Sequence, residues 1–146
     1  MPTFASLGVS ADLADALAAR GITEAFPIQA LTIPDALAGR DVCGKAKTGS
    51  GKTFAFGLPV LARQRKAESR HPTALALVPT RELAIQVRDE LAPIAEGRGL
   101  TVVAVYGGAD MDRQIKALKA GADFVVATPG RMIDLLERKE VSVADV

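Results

Sequence analysis

Four short apolar segments, each followed by a helical pattern, constrain the fold of this chain more than any other feature. The apolar segments are residues 41–44, 73–78, 100–106 and 123–127, and the helical patterns after them are residues 52–65, 81–96, 110–119 and 129–139. Segments that are hydrophobic almost throughout are typical of strands covered on both faces. Strands that alternate with helices favour a parallel sheet with right-handed crossovers. We therefore predict an α/β fold built on a parallel sheet.

Two helices are predicted before the first apolar segment. Ser10 suits the N-cap of a helix over residues 11–20. Pro27 is favoured in the first turn of a second helix, which we expect Pro34 to break or kink. Residues 64–72 are polar and are predicted to form a surface loop.

Length and composition exclude several classes of protein. A chain of 146 residues has the size of one compact domain, and its 49% of apolar residues can form a core, which excludes a disordered tail. The single cysteine, Cys43, excludes an internal disulfide and a cysteine zinc cluster, and it fits a reducing compartment.

Charge, aromatic content and hydropathy exclude further classes of protein. Lys and Arg total 18 against 17 Asp and Glu, which excludes a histone-like basic protein. Aromatic residues make up 4% and Trp is absent, so a base-stacking platform is not expected. The N-terminus lacks a signal pattern and the apolar runs are shorter than a membrane span, so we expect a cytoplasmic enzyme without a membrane partner.

Residues 46–53, AKTGSGKT, match the spacing of a phosphate-binding P-loop, with Ala46 where the strict pattern has glycine. Gly49 and Gly51 allow the backbone to curl so that N–H groups point at a phosphate. Lys52 can reach the β- and γ-phosphates, and the Thr53 hydroxyl can bind Mg²⁺. The predicted nucleotide-binding residues of this loop are Ala46, Lys47, Thr48, Gly49, Ser50, Gly51, Lys52 and Thr53. The alternative is a glycine-rich surface turn before an ordinary helix, and a P-loop alone does not separate kinases, GTPases, transport ATPases and helicases.

Polar residues follow each of the other three predicted strands. These junctions are Pro79-Thr80-Arg81, Gly107-Gly108 and Thr128-Pro129-Gly130-Arg131. The junctions of a parallel sheet lie at its carboxyl edge, so we expect them to share one rim with the P-loop. Helix N-termini, hydroxyls and arginines suit a sugar-phosphate backbone, which predicts sequence-independent binding of a single strand.

Each junction also has a plainer interpretation. Thr80 can be only a helix cap with Glu82 in the first turn, and Thr128 can equally begin an ordinary helix. Gly107-Gly108 can be only a turn. The functional interpretation depends on the three junctions occurring together beside a P-loop.

Taken in order, these motifs resemble those of a known family. Phe4, Gly21-Ile22-Thr23, Phe26-Pro27-Ile28-Gln29, AKTGSGKT, PTRELA, GG and TPGR follow the pattern of the N-terminal part of DEAD-box ATP-dependent RNA helicases, from Phe4 to the last residue. Ala25-Phe26 stand where the family usually has Pro-Thr.

The resemblance implies a RecA-like P-loop NTPase domain that binds ATP, Mg²⁺ and RNA. It implies that Gln29, in the Q motif, reads the adenine edge and that Phe4, seventeen residues before Gly21, packs on adenine. Without the resemblance, Gln29 would be interpreted as a solvated side chain and Phe4 as a core residue. The RNA-backbone motifs of the family fall on Thr80, Arg81, Gly107, Gly108, Thr128, Gly130 and Arg131.

The family's Asp-Glu-Ala-Asp motif does not occur in the sequence, and the one Asp-Glu pair, Asp89-Glu90, lies in a helical pattern. We therefore expect a Q-motif region over residues 1–30 and a partial RecA-like domain over residues 31–146 that ends before this motif and lacks its C-terminal strands. Such a fragment, lacking the second RecA-like domain, is expected to hydrolyse ATP poorly and to be marginally stable or to associate. A different P-loop enzyme, such as a small-molecule kinase, and a non-enzymatic RNA- or nucleotide-binding module are the alternatives.

Overall fold

The computed structural model describes residues 1–49 and 51–146. Length alone favours one domain, but the chain divides into two compact units, Met1–Arg63 and Gln64–Val146. The predicted division at residue 30 follows sequence motifs and stays a prediction. Across the described residues, no helix combines the length and hydrophobicity needed to cross a membrane.

The first unit is helical. A short 3-10 helix, Ala5–Leu7, precedes α1 (Ala11–Ala18), α2 (Pro27–Leu37) and α3 (Lys52–Arg63). Ser10 is the N-cap of α1, as predicted, and α1 is anchored by the fully buried side chains of Leu13 and Leu17.

Pro34 does not break α2, because the helix continues through this residue to Leu37, and the alternative of a kink stays a prediction. A proline inside a helix removes one backbone hydrogen bond. The buried side chains of Ile28 and Ile33, both before Pro34, hold the helix to the core and offset that loss.

The strand predicted over residues 41–44 is also wrong, since this segment has irregular backbone. Its two apolar side chains are not buried: Val42 is 44% exposed and Cys43 is exposed. A segment with only two apolar residues gains little from burial, and strand structure depends on a paired neighbour and a covered face.

The second unit contains a three-stranded parallel sheet and three helices. In chain order these elements are β1 (Ala74–Leu77), α4 (Arg81–Glu96), β2 (Val102–Val105), α5 (Met111–Lys119), β3 (Phe124–Ala127) and α6 (Pro129–Glu137). The strand order is β1-β3-β2, and Phe124 is level with Ala74 on one side and Val102 on the other. The α/β fold with a parallel sheet is thus confirmed, and the helix Arg81–Glu96 has the predicted bounds.

The central strand β3 forms the middle of the core, and all four of its residues are buried. Val125 and Ala127 pack in a cluster with Leu118 of α5 and Leu135 of α6. The alternate residues of β3 face the other side of the sheet, and α4 contacts both β2 and β3. Helices therefore cover both faces of β3, which explains its uninterrupted hydrophobic sequence.

Asp123 fixes the amino end of the sheet. Its carboxylate has no exposed surface and accepts hydrogen bonds from the Thr101 N–H at 2.8 Å and from the Ala67 N–H, with the Lys66 ammonium at 3.2 Å. Residues 64–72 form a loop with no helix or paired strand of the main sheet, as predicted. One buried carboxylate thus joins this loop to the residue before β2.

Candidate nucleotide and nucleic-acid sites

Two glycines of the segment 46–53 have the backbone conformation that the predicted P-loop needs. Gly49 and Gly51 have φ of 80° and 84°, values that favour glycine, and α3 begins at Lys52. The Lys52 ammonium donates to the Ala46 carbonyl at 2.9 Å, which spans the loop from its start to its end. Ser50, also predicted to bind nucleotide, lies outside the described residues. The helix start supplies N–H donors and a partial positive charge, which fits a bound phosphate.

Gln29 belongs to the same compact unit as this loop and is hydrogen-bonded to it. Its side chain is 2% exposed, so it is not the solvated glutamine that the residue alone would suggest. Its Oε1 accepts from the Phe26 N–H at 2.8 Å, and its Nε2 donates to the Gly51 carbonyl at 3.0 Å. The first bond caps α2 and the second holds the loop. The contact of Gln29 with adenine stays a prediction.

Phe4 lies in the core of the first unit, with 2% of its surface exposed. Its carbonyl accepts the Leu7 N–H at 3.1 Å as the chain enters the 3-10 helix. This burial agrees with the core interpretation of Phe4. Its predicted packing on adenine is not tested by this geometry.

The three junctions of the second unit follow the carboxyl ends of β1, β2 and β3. Thr80 is the N-cap of α4, and its Oγ1 accepts the Leu83 N–H at 3.2 Å. Thr128 is the N-cap of α6, with Pro129 in the first turn. Thr80 therefore caps its helix with its side chain, whereas Thr128 occupies the N-cap position without a side-chain cap bond. Two residues of these junctions, Thr128 and Arg131, are partly exposed. The others are exposed: Pro79, Thr80, Arg81, Gly107, Gly108, Pro129 and Gly130.

The glycine turn after β2 approaches Arg81. A Cβ built on Gly108 would lie 3.0 Å from Arg81 Nη1, so a side chain at Gly108 would crowd this guanidinium. Arg81 Nε also donates to Glu82 Oε1 at 3.2 Å. Hydrogen bonding from its own backbone N–H, and then from Arg81, lowers the pKa of Glu82. Glu82 therefore stays ionised beside Arg81 at neutral pH.

The same turn is also hydrogen-bonded to Arg131. Arg131 Nη1 donates to Gln114 Oε1 at 2.9 Å and to the Ala109 carbonyl at 3.4 Å. Gln114 Nε2 in turn donates to the Tyr106 carbonyl at 3.0 Å. The structure thus brings the arginines of two junctions close to the glycine turn.

Gln114 was missed by the sequence predictions. It is 7% exposed, which is unusual for glutamine. A signal was present, because Gln114 shares the apolar stripe of α5 with Met111, Ile115 and Leu118. A polar residue on such a stripe needs hydrogen-bond partners inside the fold.

The predicted metal of this chain is Mg²⁺, which prefers oxygen ligands. Over residues 1–49 and 51–146, no group of three or more His, Cys, Asp or Glu side chains could hold a metal ion. Thr53, the predicted Mg²⁺ ligand, lies in the first turn of α3 and is partly exposed. A hydroxyl at this position fits one ligand of an oxygen-coordinated Mg²⁺ ion.

The family model for the DEAD/DEAH box helicase matches residues 26–146. The chain therefore belongs to the DEAD/DEAH box helicase family, as the motifs predicted.

Similar proteins support the same assignment. The chain is 50% identical over 143 residues to the DEAD-box ATP-dependent RNA helicase CshA of Streptococcus pneumoniae, and this match covers 98% of the chain and 27% of CshA. It is 45% identical to CshA of Bacillus subtilis over 144 residues, which cover 99% of the chain and 29% of that protein. The chain thus spans less than a third of the length of these relatives.

Solved structures agree with the fold. The RNA helicase Prp28 from Chaetomium thermophilum, bound to ADP, superposes with a TM-score of 0.90 at 41% identity, covering 99% of this chain and 36% of Prp28. A DEAD box protein from Methanococcus jannaschii gives a TM-score of 0.88 at 36% identity, covering 99% of this chain and 39% of that protein. The α/β architecture is therefore that of the RecA-like domain of DEAD-box helicases.

Proposed function

We propose that this chain supplies the ATP-binding and RNA-backbone-binding residues of an ATP-dependent RNA helicase. Family membership gives the class of enzyme. The observation that carries the proposal is the bond between the Gln29 amide and the Gly51 carbonyl, which joins the Q motif to the P-loop. An unrelated P-loop enzyme has no reason to bury a glutamine against this loop.

The nucleotide would be held by the first unit. Lys52 and the helix start at α3 would bind the phosphates, and Gln29 would read the adenine edge. Thr53 would bind Mg²⁺, which when present neutralises charge on the phosphates. Phe4 is proposed as the aromatic residue that packs on adenine. The remaining loop residues in this proposal are Ala46, Lys47, Thr48, Gly49, Ser50 and Gly51.

RNA would bind the second unit through its sugar-phosphate backbone. Exposed helix starts at α4 and α6 offer N–H groups, and Arg81 and Arg131 offer positive charge. Gly107-Gly108 and Gly130 present bare backbone, so a strand can approach closely. None of these groups distinguishes bases, so the proposed binding is independent of sequence and selects a single strand.

The whole protein is proposed to separate or remodel RNA duplexes with ATP hydrolysis, together with a second RecA-like domain, in the cytoplasm. The 146 residues alone are expected to hydrolyse ATP very slowly. They lack the Asp-Glu-Ala-Asp motif, whose carboxylates would hold Mg²⁺ and orient water. Turnover by this chain at the rate of a complete helicase would contradict that expectation.

Titration with ATP and GTP tests the nucleotide site. Gln29→Ala is expected to abolish the preference for ATP, because the group that reads the adenine edge is lost. Lys52→Ala is expected to weaken both nucleotides about equally, since it removes only a phosphate contact. Gln86→Ala, on the exposed face of α4, is the control and should change neither affinity. An unchanged preference for ATP in Gln29→Ala would contradict the proposed role.

Titration with single-stranded RNA at several salt concentrations tests the second unit. Arg81→Ala and Arg131→Ala should each weaken binding equally for different sequences and lower the salt slope by about one. Arg138→Ala is the matched control, because Arg138 is exposed at the far end of α6 and pairs with Asp134. Binding that is unchanged in both junction variants would place the RNA elsewhere.

A further inference from the structure

Resting on the proposed RNA site, we propose that Gln114 is a positioning residue that fixes the guanidinium of Arg131 against the glycine turn after β2. No motif of the family resemblance includes this residue. It acts through Arg131 and is not itself proposed to touch RNA.

Both halves of the Gln114 amide are used. The oxygen accepts from Arg131 Nη1 at 2.9 Å and the nitrogen donates to the Tyr106 carbonyl at 3.0 Å. With 7% of its surface exposed, Gln114 has little access to water as a substitute partner. The two bonds therefore fix the orientation of the amide, and the amide fixes one nitrogen of Arg131.

The carbonyls held by this network flank the glycine turn. Tyr106 directly precedes Gly107, and Ala109 directly follows Gly108. The first carbonyl binds Gln114 and the second binds Arg131 itself at 3.4 Å. Arg131 and the turn therefore form one hydrogen-bonded assembly, so that displacing either one strains the other.

Fixing an arginine before its ligand arrives has a thermodynamic benefit. A free arginine side chain loses rotational freedom when it binds a phosphate, whereas a fixed one has lost that freedom already. Arg131 is partly exposed, so its guanidinium remains accessible to an anion. Gln114 is therefore expected to raise RNA affinity without adding charge.

The test measures single-stranded RNA affinity across salt concentrations with the protein at its full encoded length. Gln114→Leu keeps the side-chain size but removes both hydrogen bonds. We expect affinity to fall about three- to tenfold. The salt slope should be unchanged, because Arg131 keeps its charge. Gln86→Leu, the same substitution on the exposed face of α4, should leave affinity unchanged.

A double-mutant cycle separates positioning from general loss of structure. Arg131→Met should lower both affinity and salt slope. If Gln114 acts through Arg131, Gln114→Leu has no further effect on RNA affinity in the Arg131→Met background. An equal loss of affinity in both backgrounds would show a merely structural role and overturn the proposal.

A second variant covers the case in which Gln114→Leu does not fold. Gln114→Glu loses the donor to the Tyr106 carbonyl but keeps an acceptor for Arg131 and adds a negative charge that pairs with it, which should lower the salt slope by about one. An unchanged slope in Gln114→Glu would overturn the proposal.

If Arg131→Met itself leaves RNA binding unchanged, the proposed RNA site fails, and the role of Gln114 fails with it. If Arg131→Met weakens RNA binding but the Gln114 variants bind RNA normally, the proposed RNA site stands and only the positioning role of Gln114 is wrong.

Discussion

The buried amide of Gln29 and the bare backbone of Gly51 depend on each other. The amide donates to the Gly51 carbonyl at 3.0 Å, and a Cβ on Gly51 would run into that amide and the Phe26 ring. Gly49 differs, because a Cβ there would meet nothing within 4 Å although its φ is also positive, at 80°. The two glycines are therefore needed for different reasons. Gly51 is needed for its positive φ and for the close approach of Gln29, whereas Gly49 is needed for its positive φ alone.

This difference gives a matched pair of substitutions. Gly49→Ala should lower the free energy of unfolding by about 1 kcal/mol, the cost of a positive φ. Gly51→Ala should lower it by about 1–3 kcal/mol more, because the new methyl group displaces Gln29. Urea denaturation of the two variants provides the comparison. Equal losses of stability would show that the Gln29 contact does not constrain Gly51.

At this scale, the sequence could locate Gln29 and the arginines but not their partners. Nothing local to Gln114 predicts that it accepts from Arg131, seventeen positions away, because that bond depends on how α5 and α6 meet the sheet. From the residue alone, Gln29 could be interpreted as a solvated side chain, because its partner Gly51 is twenty-two positions away in the sequence. Residue types suggested the chemistry, and tertiary packing decided the partners.

Thr80, the N-cap of α4, has one observed role and one proposed role. The Thr80 hydroxyl caps the helix by accepting from the Leu83 N–H, and it also lies at a proposed RNA-binding junction. Aspartate is at least as good a cap as threonine, but its charge repels phosphate. Thr80→Asp should therefore leave the melting temperature unchanged or slightly raised while weakening RNA binding.

The control is Thr80→Ala, which should cost about 1 kcal/mol of stability through loss of the cap. Thermal unfolding and RNA titration on both variants distinguish the roles. Normal RNA affinity in Thr80→Asp would leave Thr80 as a helix cap only.

The amino end of the sheet depends on Asp123. Replacing it with alanine removes the acceptor for two backbone N–H groups and removes the ion-pair partner of Lys66, which keeps its bond to the Gly99 carbonyl at 2.6 Å. Asp123→Ala should lower the free energy of unfolding by about 2–4 kcal/mol, because buried donors lose their hydrogen bonds. Lys66→Met should cost less than about 1 kcal/mol, because the Lys66 side chain is 65% exposed and water screens its charge. Urea denaturation measures both, and a small effect of Asp123→Ala would show that water replaces the carboxylate.

Periodicity predicted the elements that pack against a continuous core. The three strands and α4 were predicted because the strand segments are apolar almost throughout and the segment of α4 has a helical pattern, although only β3 is buried along its whole length. The failures at residues 41–44 and at Pro34 share a cause, since local propensity was taken as decisive where packing is. Two apolar residues do not make a strand, and one proline does not end a helix whose preceding turn is buried in the core.

In the sheet that the structure describes, β1 and β2 each pair only with β3. The outer edge of β1 includes an exposed apolar side chain, Leu77, at 58% exposure. Unprotected edge strands can pair with other chains. The 146-residue chain is therefore expected to associate as its concentration rises, and Leu77→Lys should reduce this association by placing charge on the edge.

Sedimentation velocity over a range of concentrations measures the effect. A monomer at all concentrations, with a cooperative thermal transition at an ordinary mesophile temperature, would contradict it. The expectation concerns this chain alone, because a longer chain can cover the same edge.

The hydrogen bond between the Lys52 ammonium and the Ala46 carbonyl also bears on how nucleotide is taken up. The Lys52 ammonium has three N–H donors, and this bond uses one of them. In the proposed nucleotide site, a phosphate would therefore share the ammonium with the Ala46 carbonyl, so that the start of the loop stays tied to Lys52 while nucleotide is bound.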